Sequence, residues 1–190
     1  MMNLFKNYAR KKGDTVEETF QKMLAMIISF IMCILGVVWG AIYYEIFGLG
    51  SIVIIAFTYT LILSTAAFVG HRLKNHFILV HTLFVLTVAL PASIQFIIGG
   101  LDHSGMVISW CFMGALGSLI FLSVRHAITW MIIFLLVVIY TINFDPVIGE
   151  RLLVSDGVMK LQYNMNIIAS YTVIFVTAAW FVKTFRLEKK

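Results

Sequence analysis

The chain has 190 residues, of which 61% are hydrophobic and only 12% charged, with two prolines and a formal net charge of +5. That leaves too little polar surface to cover a soluble globule, and two cysteines placed inside apolar stretches exclude a disulfide framework. The basic residues lie beside the apolar stretches instead of forming a stripe with interleaved aromatics, which points to anionic membrane lipids as partners and to no nucleic acid.

Residues 1–22 read as a cytoplasmic juxtamembrane segment with one amphipathic turn. Thr15-Val-Glu-Glu18 has the spacing of a capping box, so a helix is expected to begin there. Glu18 and Lys22 then form an i,i+4 pair, and Phe20, Met23 and Leu24 give an apolar side that can lie on a bilayer surface, against the alternative of a solvated turn. Six apolar stretches follow: Met23–Tyr44, Ile46–Gly70, Phe77–Ile98, Met106–Val124, Ala127–Phe144 and Leu161–Val182. A helix needs about 20 residues to cross a hydrocarbon core of roughly 30 Å, and all six reach or approach that length. Helices are expected because the runs lack two-residue alternation and an open sheet cannot satisfy its backbone in lipid. The fold class is therefore all-α, a single six-helix transmembrane bundle over residues 23–182.

Several local features refine this outline. Gly36-Val-Val-Trp-Gly40 is a GxxxG face, and Gly114-Ala-Leu-Gly-Ser118 is its small-residue relative; either packs helices within one subunit or forms a dimer seam. Pro91 should kink the third span and free a carbonyl near Thr87, with Gln95 one turn further on. Arg125-His126 reads as a tight hairpin, because one helix from Met106 to Phe144 would measure about 58 Å at the helical rise. The 143–160 loop, broken by Pro146, Gly149 and Gly157, has room for a short interfacial helix. Residues 183–190 carry no stop signal and read as the start of a cytoplasmic helix that continues in a longer protein.

Twelve basic residues (Lys6, Arg10, Lys11, Lys12, Lys22, Arg72, Lys74, Arg125, Lys183, Arg186, Lys189, Lys190), out of 14, fall on one side of the alternation. Only Arg151 and Lys160 fall on the other, so the positive-inside rule places both termini in the cytoplasm and the chain in the inner (plasma) membrane as a multi-pass protein.

Polar groups within the spans are few, and the candidates for a ligand pocket are His81, Gln95, Trp110 and Asn143. His71, His76 and His81 recur every five residues, a rotation of about 140° per step, so they cannot share one metal. No metalloprotease, nucleophile-elbow or phosphate-loop motif occurs, and no catalytic or cofactor-binding residue is assigned. At the outer mouth, Glu45, Asp102, His103 and Asp145 end separate spans on one side. They read either as a divalent-cation site or as solvated loop groups.

The stretch Gly99-Gly-Leu-Asp-His-Ser-Gly-Met-Val-Ile-Ser-Trp110, with Gly114-Ala-Leu-Gly-Ser-Leu-Ile-Phe121 and Ala127-Ile-Thr-Trp130, resembles the six-span membrane region of bacterial class III adenylate cyclases. That family carries a Gly-Gly-Phe-x-x-Ser-Gly loop, a Trp, a Pro-Leu-Gly-Ala-Leu-x-Phe run and Ala-x-x-Trp. Here Leu101 stands for the Phe and Gly114 near the place of the Pro, while Asp145-Pro146 also fits; the resemblance spans Thr15 to Arg186. It implies a receptor-like regulatory domain, homodimeric, whose sixth helix leads to a cyclase catalytic domain outside these residues. The chain alone is then not an enzyme, and its ligand is a lipophilic molecule or a divalent cation. The rival expectations are a small transporter or channel, an intramembrane enzyme, and the membrane sensor of another output such as a histidine kinase.

Overall fold

A computed structural model of the chain describes residues 13–73, 75–101, 103–143 and 155–188. All regular structure in them is helical: α1 (Val16–Phe47), α2 (Ser51–Arg72), α3 (His76–Ile98), a 3-10 turn (Val107–Cys111) running into α4 (Phe112–Phe121), α5 (Val124–Asn143) and α6 (Asp156–Glu188). Four of these, α1, α2, α3 and α5, are long and apolar enough to cross a membrane, and Val107–Phe121 forms a shorter apolar helix. Large apolar side chains also cover the outside of the bundle: Phe30, Leu61, Phe68, Leu136 and Phe175 are all more than half exposed. An apolar surface on this scale is expected of a protein solvated by lipid.

The helix starts and stops follow from local chemistry. The Glu18 amide donates to Thr15 Oγ1 (3.1 Å) and the Thr15 amide donates to Glu18 Oε2 (2.8 Å), so the capping box forms. Lys22, however, pairs with Asp14 at 2.7 Å. With Glu18 reaching back to the helix start, Asp14 is the acid left for Lys22. α1 runs past Glu45 and includes Ile46, which the sequence reading gave to the second span. It stops at Gly48, whose φ is positive (69°) and whose N–H donates to the Tyr44 carbonyl to close the last turn. Asn75 caps α3 by accepting from the Phe77 amide. Pro91 lies within α3, which continues as helix on both sides of it.

The hairpin expected at Arg125-His126 lies slightly earlier, at Leu122-Ser123. α5 already begins at Val124, so Arg125 and His126 occupy its first turn. Ser123 faces His126 Nδ1 at 2.9 Å, and its carbonyl accepts from the Ala127 amide. The fourth stretch also starts irregularly, with Met106 in the left-handed region (φ 57°) and a 3-10 turn before α4.

Packing runs largely between sequence neighbours. Gly36 and Gly40 let α1 lie close to α2: a Cβ at Gly36 would overlap Thr60 Oγ1, and one at Gly40 would sit 3.1 Å from the Phe57 ring. Gly114 and Gly117 do the same for α4 against Val88 and Phe84 of α3. Both small-residue faces are thus occupied within the subunit. One core cluster holds Tyr59, Leu63, Leu83, Phe84 and Phe121. A second, towards the Gly48 end, holds Tyr43, Ile52, Ile94, Ile98 and Val107, and a third joins Val88, Ile108 and Cys111 to Trp130 and Phe134 of α5. α6 touches the rest chiefly through the 3-10 turn and α4.

Candidate functional site

The attachment of α6 is polar. Gln162, Asn166 and Ser170 lie four residues apart, so they share one face of the helix, and all three are buried. Asn166 Nδ2 donates to the carbonyls of Gly105 (3.0 Å) and Ser104 (3.4 Å), while its Oδ1 accepts from Trp110 Nε1 (3.1 Å). One turn on, Ser109 donates to Ser170 Oγ at 3.3 Å. One turn back, Gln162 packs its backbone against Gly105, where an added Cβ would come within 2.7 Å of Gln162 Cβ and of the Tyr163 nitrogen. The left-handed Gly105 (φ 60°) is therefore needed twice over, for its turn and for this contact.

The same segment reaches α3. Ser104 Oγ lies 3.5 Å from Gln95 Oε1, at the outer limit of a hydrogen bond, and Gln95 is fully buried. Gln95 Nε2, both polar side-chain atoms of Gln162, and His103 Nδ1 are buried with no hydrogen-bond partner among the described residues. Buried amides with unmet capacity are costly, and they make this end of the bundle its most polar interior region.

Below the seam lies an apolar cleft of about 330 Å³ between α1 and α6, floored by Leu83, Phe84 and Thr87 of α3 and by Gly117 of α4. A second, smaller cavity of about 60 Å³ lies beside it towards Trp39, Tyr43 and Ile94, and also borders Tyr59, Pro91 and Asn166. Met32, Leu35, Thr87 and Trp110 line both.

The residues singled out from sequence divide as follows. Trp110 lines both cavities and donates a hydrogen bond to Asn166. Gln95 sits in the polar region just described. His81 is elsewhere: its Nδ1 is 3.1 Å from the Phe77 carbonyl, its ring lies 3.7 Å from the Phe77 ring, and His126 is its edge-on neighbour at 6.4 Å. Asn143 is exposed and returns its Nδ2 to the Ile139 carbonyl. Of the outer-mouth set, Glu45 is exposed at the end of α1 and His103 is partly buried; Asp102 and Asp145 lie outside the described residues. Among the described residues, no group of three or more His, Cys, Asp or Glu is placed to hold a metal.

The sequence reading missed Asn166 and its neighbours. The signal was present as Gln162, Asn166 and Ser170 at i, i+4 and i+8, a polar stripe that runs into the apolar part of the helix. No family model, curated protein or solved structure matches the chain.

Proposed function

We propose that the chain is a receptor-like regulatory membrane domain that passes the state of its bundle to a partner domain through α6. The observation that carries this reading is the attachment of α6. A helix of 33 residues, about 50 Å long at the helical rise, is held by a buried polar latch near one end and borders a cleft along its middle. An element held near one end and bordering a cleft further along can take two positions, and a ligand that binds one more tightly shifts the balance by its differential affinity. Couplings of about 1–3 kcal/mol are typical of such devices.

The output proposed is a class III adenylate cyclase, on the strength of the resemblance in the 99–130 region. Its catalytic domain works as a dimer, so the membrane domain is proposed to be a homodimer in the inner membrane with both termini cytoplasmic. Cysteines placed singly along Val182–Glu188 should cross-link between subunits with helical periodicity. In a fusion of residue 190 to a dimeric cyclase catalytic domain, inserting one to four residues after Val182 should make cyclase activity rise and fall with the helical repeat. A purified domain that stays monomeric in lipid, or a fusion indifferent to insertion phase, overturns the reading.

A further inference from the structure

We propose that the two adjoining cavities, which share Met32, Leu35, Thr87 and Trp110 in their walls, act together as one binding site for an uncharged, single-chain amphiphile taken from the bilayer, with its tail between α1 and α6 and its head beside Tyr59. This deepens the receptor reading by naming the ligand class, and rests on it only for the consequence of binding.

Three observations define the ligand. The first is access. Ile31, Thr172 and Val176 at the mouth of the cleft are exposed, whereas Leu83, Phe84 and Thr87 on its floor are buried, so the cleft opens on the apolar flank of the bundle. A ligand arriving there is dissolved in the lipid. The second is size and shape. The larger space, about 330 Å³, lies at the small end of the roughly 300–1,000 Å³ usual for ligand sites. From Ile28 to Tyr43, the lining of α1 extends about 22 Å at the helical rise. At about 330 Å³ the larger space has room for one alkyl chain and not for the two tails of a phospholipid.

The third is the head. Among the described residues no Asp, Glu, Lys, Arg or His lines either cavity, so a charged group would find no counter-ion in these walls. Hydrogen-bonding capacity is nevertheless present. The Tyr59 hydroxyl is buried and has no partner among the described residues. Thr87 Oγ1 donates to the Leu83 carbonyl and keeps its acceptor capacity. A hydroxyl or carbonyl head can meet both groups. A ligand so placed touches Trp110 and α6 together, next to the Asn166 latch.

The test uses the full chain in nanodiscs of unlabelled phosphatidylcholine, with tryptophan fluorescence as the readout, because Trp39 and Trp110 line the cavities. Three probes carry bromine at the same chain position: a monoacylglycerol, a fatty acid at alkaline pH where it is ionised, and a phosphatidylcholine. The monoacylglycerol should quench saturably at low mole fraction, and the other two only in proportion to their concentration. Thr172→Phe and Val176→Phe, both at exposed mouth positions that leave the core intact, should abolish the saturable component. Tyr59→Phe should raise the half-saturation point roughly three- to tenfold, the loss of one hydrogen bond. Proportional quenching by all three probes, equal saturation by the carboxylate, or mouth variants that bind as the wild type does would overturn the proposal. Saturable binding that leaves the cyclase fusion's activity unchanged would instead sink the signalling reading and leave the site standing.

Discussion

Trp110 Nε1 and Asn166 Oδ1 meet at 3.1 Å, joining the turn that opens the fourth apolar segment to the first third of α6. Because the Asn166 amide also reaches the carbonyls of Ser104 and Gly105, one side chain ties α6 to three residues of a segment some sixty positions earlier. Interhelical hydrogen bonds of this kind in membrane proteins contribute about 0.6 kcal/mol on average and up to about 1.7 kcal/mol.

Asn166→Leu should therefore destabilise the domain by about 1–2 kcal/mol, near the upper end of that range, since it also removes the acceptor of the partly buried Trp110 N–H. Asn164→Leu, at an exposed position two residues away, should change stability by less than about 0.5 kcal/mol. Unfolding followed by tryptophan fluorescence checks both, and equal effects would show that Asn166 holds nothing in place.

Gly105→Ala should be the most damaging glycine substitution in the loop. The left-handed backbone costs an L residue about 1–2 kcal/mol, and the new methyl would press on backbone atoms of α6, which cannot rotate away. Gly157→Ala, with nothing within 4 Å of the added carbon, should be neutral or slightly stabilising in its helix. Comparing the melting temperatures of the two variants measures the contact directly. A Gly105→Ala protein as stable as the wild type would remove the Gly105–Gln162 contact from the account of the seam.

Much of the bundle could be read from sequence because lipid solvation imposes long uncharged runs, and those runs survive as helices. Their ends were harder to place. Ile46 follows a charged residue yet continues α1, since Glu45 marks the edge of the apolar zone and not the end of the helix. Arg125 shows the same effect at the start of α5, where the break comes two residues earlier at Ser123. The Gly36 and Gly40 face was legible as a close-packing surface, but only coordinates identify Tyr59, Thr60 and Phe57 as what it packs against. The polar seam escaped because its donors and acceptors come from distant segments. Asn166 spans 56 residues to Trp110, and two of its three partners are backbone carbonyls that no side-chain pattern announces.

Orientation is expected from charge, with 12 of 14 basic residues on one side. Single cysteines replacing Lys12, Arg125 or Lys190 should be protected from an impermeant thiol reagent in intact cells, and one replacing Asp156 should react. The native thiols give little background, because Cys111 is buried and Cys33 lies within α1 beside Ser64 of α2. Strong labelling at Lys12→Cys would reverse the orientation and, with it, the side on which α6 delivers its signal.

A divalent cation at the mouth is the remaining expectation, resting on Glu45, Asp102, His103 and Asp145. His103 Nδ1 is buried without a partner among the described residues, and Glu45 lies in the last turn of α1, on the same side of the bundle as the start of the 3-10 turn at Val107. If the two aspartates join them, the empty site gathers like charges whose repulsion an ion relieves, so Mn²⁺, Ca²⁺ or Zn²⁺ should raise the melting temperature by binding the folded state alone. An ion present at a hundred times its dissociation constant stabilises by about 2.7 kcal/mol, a shift easily read in a thermal scan. Asp102→Ala and Asp145→Ala should each weaken that shift. Should the wild type show no dependence on any of the three ions, or both variants respond as it does, these acids only border the membrane, and the cleft beside α6 becomes the place where a signal has to enter.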